Sequence, residues 1–374
     1  MNTREPERNV RDGTIKGHIE EGAAFLALAK SHERTPESAP LPSPSRITDN
    51  AFAFQRTAAL RAAVGLDIFT AIGEGHDTPA TLAERCGAAE RGIRILCDYL
   101  SAIELLSRKE GRYIATADAA AYLDRRSPAF IGDALRFVAS ETALKAVLGD
   151  PVAVVRNGGT ILDETEHFGA PDQADWSTYA RLVAPMMARS AALLADLVAG
   201  GDALVKRILD IAAGPGQNGI ALARRLPDAH VRAVDWPSVL EIAAENALIA
   251  GLDERWRALS GSALEMEFGG PYDVAIVARF LHLLAPQDRE SLLRRVHAAL
   301  APGGRIVVLQ TLLDEDRASP PFAVAMNFNI LATTPSGEVA TTGEFEALIH
   351  RTGFGRLGWH DIPDSDERIA IAWK

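Results

Sequence analysis

The chain has 374 residues, 47% of them hydrophobic, so each of two domains could bury a core of its own. A formal net charge of −11 argues against a general nucleic-acid or anionic-membrane surface, because phosphate binding depends on Lys and Arg. The two cysteines, Cys86 and Cys97, describe neither a disulfide scaffold nor a zinc site, and no metal is expected. The N-terminus carries no signal-peptide hydrophobic region, and no 18-residue apolar run is read that would span a bilayer. No membrane partner and a cytoplasmic location are the expectation.

Residues 1–46 read as a polar extension. Ile15 to Lys30 could form one short helix, and Pro36, Pro40, Pro42 and Pro44 punctuate a linker. Ordered structure is expected from near Asp49. The Ala-rich stretch Ala51 to Ile72 supplies helical apolar faces through Phe54, Leu60, Val64, Leu66, Ile68 and Phe69. Thr78-Pro79 is an N-cap followed by proline at the first helical position, where its missing N–H would be orphaned anyway. A further helix is expected over Ala88 to Leu106, then a turn and strand-like piece over Lys109 to Ile114. Helices followed by a small hairpin suggest a winged-helix-like module. Residues 118–200 add helices broken at Asp150-Pro151 and at Asn157-Gly158-Gly159, and Thr178 to Val198 leads into a second domain.

The rhythm changes at Val205. Strands are expected at Val205–Ile211, Val231–Val234, Trp256–Leu259, Val274–Ala278 and Ile306–Gln310. Between the first pair lie a glycine loop and a helix over Asn218–Leu226. Before the last strand runs a helix with Leu292, Leu293, Val296 and Leu300 on one face, and Pro302-Gly303-Gly304 turns the chain back toward the sheet. Phe354–Trp359 and Ile369–Trp373 form a terminal antiparallel pair. This alternation predicts an α/β fold with a mostly parallel sheet and helices on both faces. The boundaries expected are 1–46 for the extension, 47–200 for the helical domain and 201–374 for the α/β domain.

The loop itself reads Asp210-Ile211-Ala212-Ala213-Gly214-Pro215-Gly216-Gln217-Asn218-Gly219. Gly214, Gly216 and Gly219 match GxGxxG, which permits a tight turn and close approach of a ligand to backbone. Asp235 ends the next strand, where a carboxylate accepts hydrogen bonds from both hydroxyls of a ribose. Those facts fit NAD or S-adenosylmethionine alike. Asp210, just before the loop, would repel a diphosphate and tolerate a cation, though it could equally cap loop amides.

The ordered set LDIAAGPGQNGIALA, VRAVDWP, YDVAIVARFLHLL and LLRRVHAALAPGGRIVV resembles the class I S-adenosylmethionine-dependent methyltransferases. More narrowly it resembles the caffeate and hydroxyindole O-methyltransferase type, including bacterial small-molecule tailoring enzymes. The resemblance runs over roughly residues 50–374. It includes AFQRTAALRAAVGLDIFTAI and LAERCGAAERGIRILCDYL, which match the family's winged-helix-like dimerisation domain. It implies a Rossmann-like domain with a seven-stranded sheet, a homodimer, S-adenosylmethionine as cofactor and S-adenosylhomocysteine as product. Carried over by position, Gly214 and Gly216 lie beside the methionine portion, Asp235 holds the ribose and Trp236 packs on the adenine. Ser262 and Ala263 stand where the family usually has an acid near the adenine.

By the same resemblance His282 falls on the general base, although a histidine in so apolar a run is ordinarily a hydrogen-bonded core residue. The base would help an acceptor oxygen attack the sulfonium methyl in line. The plant enzymes flank this histidine with two glutamates; here the positions hold Gln310 and Val339, with Glu338 adjacent to the latter. Met187, Phe322, Met326, Asn327 and Ile330 fall on the acceptor pocket, a lining suited to a flat aromatic small molecule. Secondary metabolism is the expected setting. Two alternatives stand beside O-methyl transfer. One is a same-fold enzyme catalysing N- or C-methylation or a non-methylating reaction. The other is a winged-helix regulator that senses a ligand, which the acidic Glu90 and Asp98 on the would-be reading helix oppose.

Overall fold

The computed structural model describes residues 42–163, 167, 174–201 and 204–374. The expected helix over 15–30 and most of the proline-punctuated linker lie outside them. Helix Ser45–Ala51 belongs to an N-terminal unit ending at Phe54, and Gln55–Lys374 forms a second compact unit.

The second unit opens within helix Phe54–Gly65, from Gln55 on, and continues with helices Ile68–Gly73, Pro79–Cys86 and Glu90–Ala102. Thr78 caps the third as its sequence dictates: its hydroxyl accepts the Thr81 N–H, and Pro79 occupies the first turn. The fourth stops at Ala102, short of Leu106. Glu104 takes a left-handed φ of 63°, and the chain turns into an antiparallel hairpin of β1 (Leu106–Lys109) and β2 (Arg112–Ala115). Phe69, Leu82, Ile93, Cys97, Leu100, Leu106 and Tyr113 close one core around these elements. Short helices follow over Ala117–Leu123, Gly132–Val138, Glu141–Leu148 and Pro151–Asn157. Asp150-Pro151 starts a helix as well as interrupting the previous one, because the Asp150 carboxylate accepts the Ala153 N–H.

Helix Ala174–Ala199 then leads to the sheet. Contrary to the sequence expectation, its Trp176–Ala199 portion is long and apolar enough to cross a membrane by composition. Packing accounts for part of that apolarity, since Leu194, Ala195 and Val198 are buried in the core beneath the sheet. Arg181, Arg189 and Asp196 on the same helix pair with Glu245, Asp364 and Arg225.

Seven strands follow: β3 (Arg207–Ile211), β4 (His230–Asp235), β5 (Trp256–Ser260), β6 (Tyr272–Ala278), β7 (Leu300–Thr311), β8 (Leu357–Asp361) and β9 (Glu367–Trp373). Their spatial order is β5-β4-β3-β6-β7-β9-β8, parallel except where β9 meets β7 and β8. Pro302-Gly303-Gly304 is not a free turn. It lies inside β7 as a bulge, because Tyr272 pairs with Leu300 and Val274 already pairs with Arg305. Side chains alternate between faces: Ile208, Val274 and Ile276 enter one core, while Leu209, Ile211, Ala275 and Val277 enter the other. The first core is covered by helices Ala174–Ala199, Gln217–Arg225 and Pro237–Ile249, and the second by Pro286–Ala299 and Thr342–Arg351. Strand order reverses at β3, so the crevice beyond its C-terminal end lies where open α/β sheets bind ligands.

Candidate active site

The glycine loop leaves β3 after Ile211 and enters helix Gln217–Arg225 at Gly216. Gly216 has φ +79°, and a Cβ there would stand 3.1 Å from Ile220 Cδ1 and 3.2 Å from Ala243 Cβ. Gly214 has φ +55° with open space where its Cβ would be, so the loop backbone faces a free approach. The turn is fixed from behind: Asn246 Nδ2 donates to the Pro215 carbonyl at 2.9 Å, and the Gly216 N–H to Ala213 O at 2.9 Å. Ala212 adopts φ +52°, a conformation that a Cβ disfavours.

Two carboxylates frame this loop. Asp210 is buried; its Oδ2 accepts the Gly219 N–H at 2.9 Å, while Oδ1 has no partner among the described residues. Burial pushes its pKa up to about 7, the Gly219 N–H opposes that and the charge of Asp235 adds to it. Asp235 Oδ2 accepts the Gly214 N–H and Oδ1 the Trp236 N–H, both at 2.8 Å. Burial raises its pKa as well, against those two amides. Each Asp235 oxygen keeps a further lone pair for a ribose hydroxyl. The paired acids suit a cationic nucleoside and disfavour a diphosphate, so the residues present fit S-adenosylmethionine. Trp236 caps helix Pro237–Ile249 and packs half-buried on Ala180, Val239 and Ile242 beside Trp176. The Gly261 N–H donates to the Asp235 carbonyl at 3.1 Å, which brings Ser262 and Ala263 to the same rim. Ser262 Oγ accepts the Leu264 N–H, and Ala263 is buried with its carbonyl on Arg295. No acid stands at either position.

The neighbouring strands end in a second set of polar groups. His282 sits on a single 3-10 turn, Leu281–Leu283, just beyond β6. Its Nδ1 is shielded from solvent without a partner among the described residues. Burial, then the charges of Arg289 and Arg279, lower the imidazole pKa to about 4. Gln310, near the end of β7, is buried with Oε1 equally unpartnered. Val339 is fully buried with Leu313, Ala323 and Ile330. Glu338 turns outward to Arg317 at 3.0 Å, and only its carbonyl reaches inward, to Arg289. The glutamate-flanked arrangement of the plant enzymes is therefore absent at both positions.

The expected pocket residues divide. Met187 is half-buried on the long helix, with its carbonyl accepting the Ser190 hydroxyl. On helix Pro321–Thr333, Met326 is half-buried, Asn327 Oδ1 accepts the Val339 N–H at 2.8 Å, Phe322 is exposed and Ile330 is core. Arg279 escaped the sequence reading. The signal was available, since it is the one charge in the apolar run Val274–Leu284. Among the described residues no group of three or more His, Cys, Asp or Glu side chains could hold a metal ion.

Comparison with known proteins agrees with this geometry. A model of the O-methyltransferase domain matches residues 168–355, and one of the O-methyltransferase dimerisation domain matches 48–125. A Streptomyces sahachiroi 3-hydroxy-5-methyl-1-naphthoate 3-O-methyltransferase is 29% identical over 78% of this chain and 84% of its own. The tetracenomycin polyketide synthesis 8-O-methyl transferase of Streptomyces glaucescens is 29% identical over 83% and 91%. The crystal structure of a candidate O-methyltransferase from Nostoc punctiforme superposes with a TM-score of 0.85 at 38% identity, covering 89% of this chain and 100% of that one. This chain belongs to the S-adenosylmethionine-dependent O-methyltransferases in which a helical dimerisation domain precedes a Rossmann-like catalytic domain.

Proposed function

We propose that this enzyme methylates a hydroxyl of an aromatic small molecule in secondary metabolism, working as a homodimer. The observation that carries this reading is the meeting of two sites at the ends of adjacent parallel strands. Asp210 and Asp235 frame the glycine loop after β3 and β4, and His282 with its free Nδ1 follows β6. S-adenosylmethionine, when bound, supplies an electrophilic methyl group on a sulfonium centre. Asp235 takes the ribose hydroxyls, Gly214 and Gly216 lie along the methionine portion, and Trp236, Ser262 and Ala263 border the adenine. Met187, Met326 and Asn327 hold the acceptor. Asn327 Oδ1 is already engaged by Val339, so its amide N–H groups are what it offers. Phe322 and Ile330 act from further out, the first at the surface and the second from beneath.

His282 stands ready to receive the acceptor's proton, with Gln310 as neutral support. A conjugate acid near about 4 makes full proton transfer from an ordinary phenol, ionising near ~10, uphill by roughly 8 kcal/mol. The favoured acceptor therefore has an acidic hydroxyl, or gives up its proton only as the new bond forms. The names of the relatives, a naphthoate and a tetracenomycin methyltransferase, support an aromatic acceptor. The match to a dimerisation domain over residues 48–125 supports self-association, with residues 47–200 as the winged-helix-like dimerisation domain and 201–374 as the catalytic one.

The test is incubation with methyl-labelled cofactor and an extract of the source organism, alongside measurement of mass in solution. The expected result is a labelled product one methyl group heavier, stoichiometric S-adenosylhomocysteine and a dimeric mass. Conversion of a substrate while the label stays on intact cofactor would overturn methyl transfer, and a monomeric mass would overturn the dimer.

A further inference from the structure

Arg279 follows the last residue of β6 with φ +54°, a backbone conformation unfavourable for any residue but glycine. Its N–H donates to the Leu309 carbonyl at 2.7 Å, which seats it beside Gln310. The guanidinium is bound on one side only. Nε and Nη2 fork onto the Glu367 carboxylate, and Nη2 also donates to Ser190 Oγ at 2.8 Å. Ser190 in turn donates to the Met187 carbonyl at 3.1 Å. Nη1 is buried and has no partner among the described residues. An unpaired guanidinium nitrogen under a strained backbone is costly twice over, and such outliers concentrate where a ligand completes them. The place fits a ligand: the C-terminal edge of a parallel strand, three residues before His282, with the partner Ser190 one turn of helix from Met187.

We propose that Arg279 is a specificity-determining residue whose Nη1 takes a carbonyl oxygen conjugated with the reacting hydroxyl of the acceptor. The inference rests on the methyltransferase reading and narrows its substrate class to acyl phenols and related hydroxyaryl ketones. Charge selects the carbonyl over a carboxylate. Glu367 already balances Arg279, and a second carboxylate would meet its charge across the same fork. The carbonyl also acidifies the hydroxyl with which it is conjugated, and a hydrogen bond from Nη1 strengthens that withdrawal. This supplies what His282 alone does not.

The test is equilibrium binding to protein loaded with S-adenosylhomocysteine, using 2-acetyl-1-naphthol, 2-ethyl-1-naphthol and 1-hydroxy-2-naphthoate as probes. The acetyl probe is expected to bind at least ~10-fold tighter than the ethyl probe, the scale of one hydrogen bond from a charged donor, and tighter than the carboxylate. Arg279→Lys, which loses the fork, should bring the acetyl and ethyl probes to within about threefold. Glu367→Gln should turn the preference toward the carboxylate, a reversal that a purely structural role for the ion pair would not produce. Equal binding of acetyl and ethyl probes by the native enzyme, binding of none, a native preference for the carboxylate, or undiminished discrimination in Arg279→Lys would each overturn the assignment. Methyl transfer plays no part in the readout. Failure of this proposal therefore leaves the proposed function standing, whereas failure to load S-adenosylhomocysteine strikes the proposed function first.

Discussion

Gly337 lies against the backbone carbonyl of His282, so close that a Cβ on the glycine would stand 2.6 Å from that oxygen and 2.5 Å from Thr334 Oγ1. Thr334 Oγ1 also accepts the Gly337 N–H at 2.9 Å, which pins the segment in place. Arg289 ties the same parts together from the side, donating to the carbonyls of Leu284 and Glu338. The imidazole is thus positioned by a segment remote in sequence from its own turn.

Gly337→Ala is expected to displace the His282 turn and lower kcat by ~10-fold or more, since misplacement by an ångström can cost a hundredfold. Affinity for S-adenosylhomocysteine should hold, because the glycine loop lies on other strands. Steady-state kinetics with calorimetry on the same variant decides it, and an unchanged kcat would show that the turn yields without consequence.

His282→Ala is expected to reduce turnover by ~10²-fold, the common scale for loss of a general base, with cofactor affinity nearly unchanged. With its pKa lowered to about 4, His282 is neutral throughout the working range. Any inflection of kcat/KM between pH 6 and 9 should therefore follow the acidity of the acceptor hydroxyl. An inflection fixed near ~6.5 for acceptors of different acidity would contradict this. Stability carries the same sign. Between about 4 and the ordinary ~6.5 the unfolded chain binds a proton at this position that the folded chain does not. Folding stability should fall as pH drops through that window, and less so in His282→Ala.

Asp210, with a pKa near about 7, is partly protonated at neutral pH in the free enzyme. A sulfonium favours its ionised form, so binding S-adenosylmethionine below pH 7 should release a proton. Affinity is expected to rise by up to ~10-fold between pH 6 and 8 and then level. Uncharged at sulfur, S-adenosylhomocysteine should show a smaller slope, and Asp210→Asn should flatten both. Titration calorimetry across buffers of different ionisation enthalpy reads the proton directly. Equal slopes for the two ligands would assign the proton elsewhere, with Asp235 the nearest alternative.

Ala212→Gly is expected to stabilise the protein. The left-handed backbone at φ +52° costs alanine roughly 1–2 kcal/mol, and the added freedom of glycine in the unfolded chain returns part of that. A net gain of roughly 0.5–1 kcal/mol should appear as a higher thermal midpoint. A lower midpoint would mean that the methyl group of Ala212 packs better than its backbone suffers.

Much of the catalytic domain was legible in local spacing. Val205–Ile211, the glycine loop and Asp235 needed only hydrophobic runs, turn residues and one acid at a strand end. What escaped depends on partners far apart in the chain. Arg279 and Glu367 are separated by 88 residues, and nothing in either neighbourhood announces the other. The bulge at Pro302-Gly303-Gly304 reads as a turn until β6 is laid beside it and the two registers are compared. Helix Trp176–Ala199 fails in the opposite direction: it is apolar enough by composition to cross a membrane, yet part of its apolar face, at Leu194, Ala195 and Val198, lies in the core beneath the sheet. At His282 the family resemblance singled out the residue, while its lowered pKa follows from burial and from two arginines brought in by tertiary structure.

The insertion of β9 between β7 and β8 has a consequence for the chain as it is made. On the ribosome β7 emerges well before Glu367–Trp373, and until that strand arrives its far edge is an unpaired row of amides and carbonyls. Glu367 arrives with the same strand, so the Arg279 corner cannot assemble until β9 closes that edge. The nascent chain is thus open to edge-to-edge association after its glycine loop has been synthesised and before the Arg279–Glu367 pair has formed.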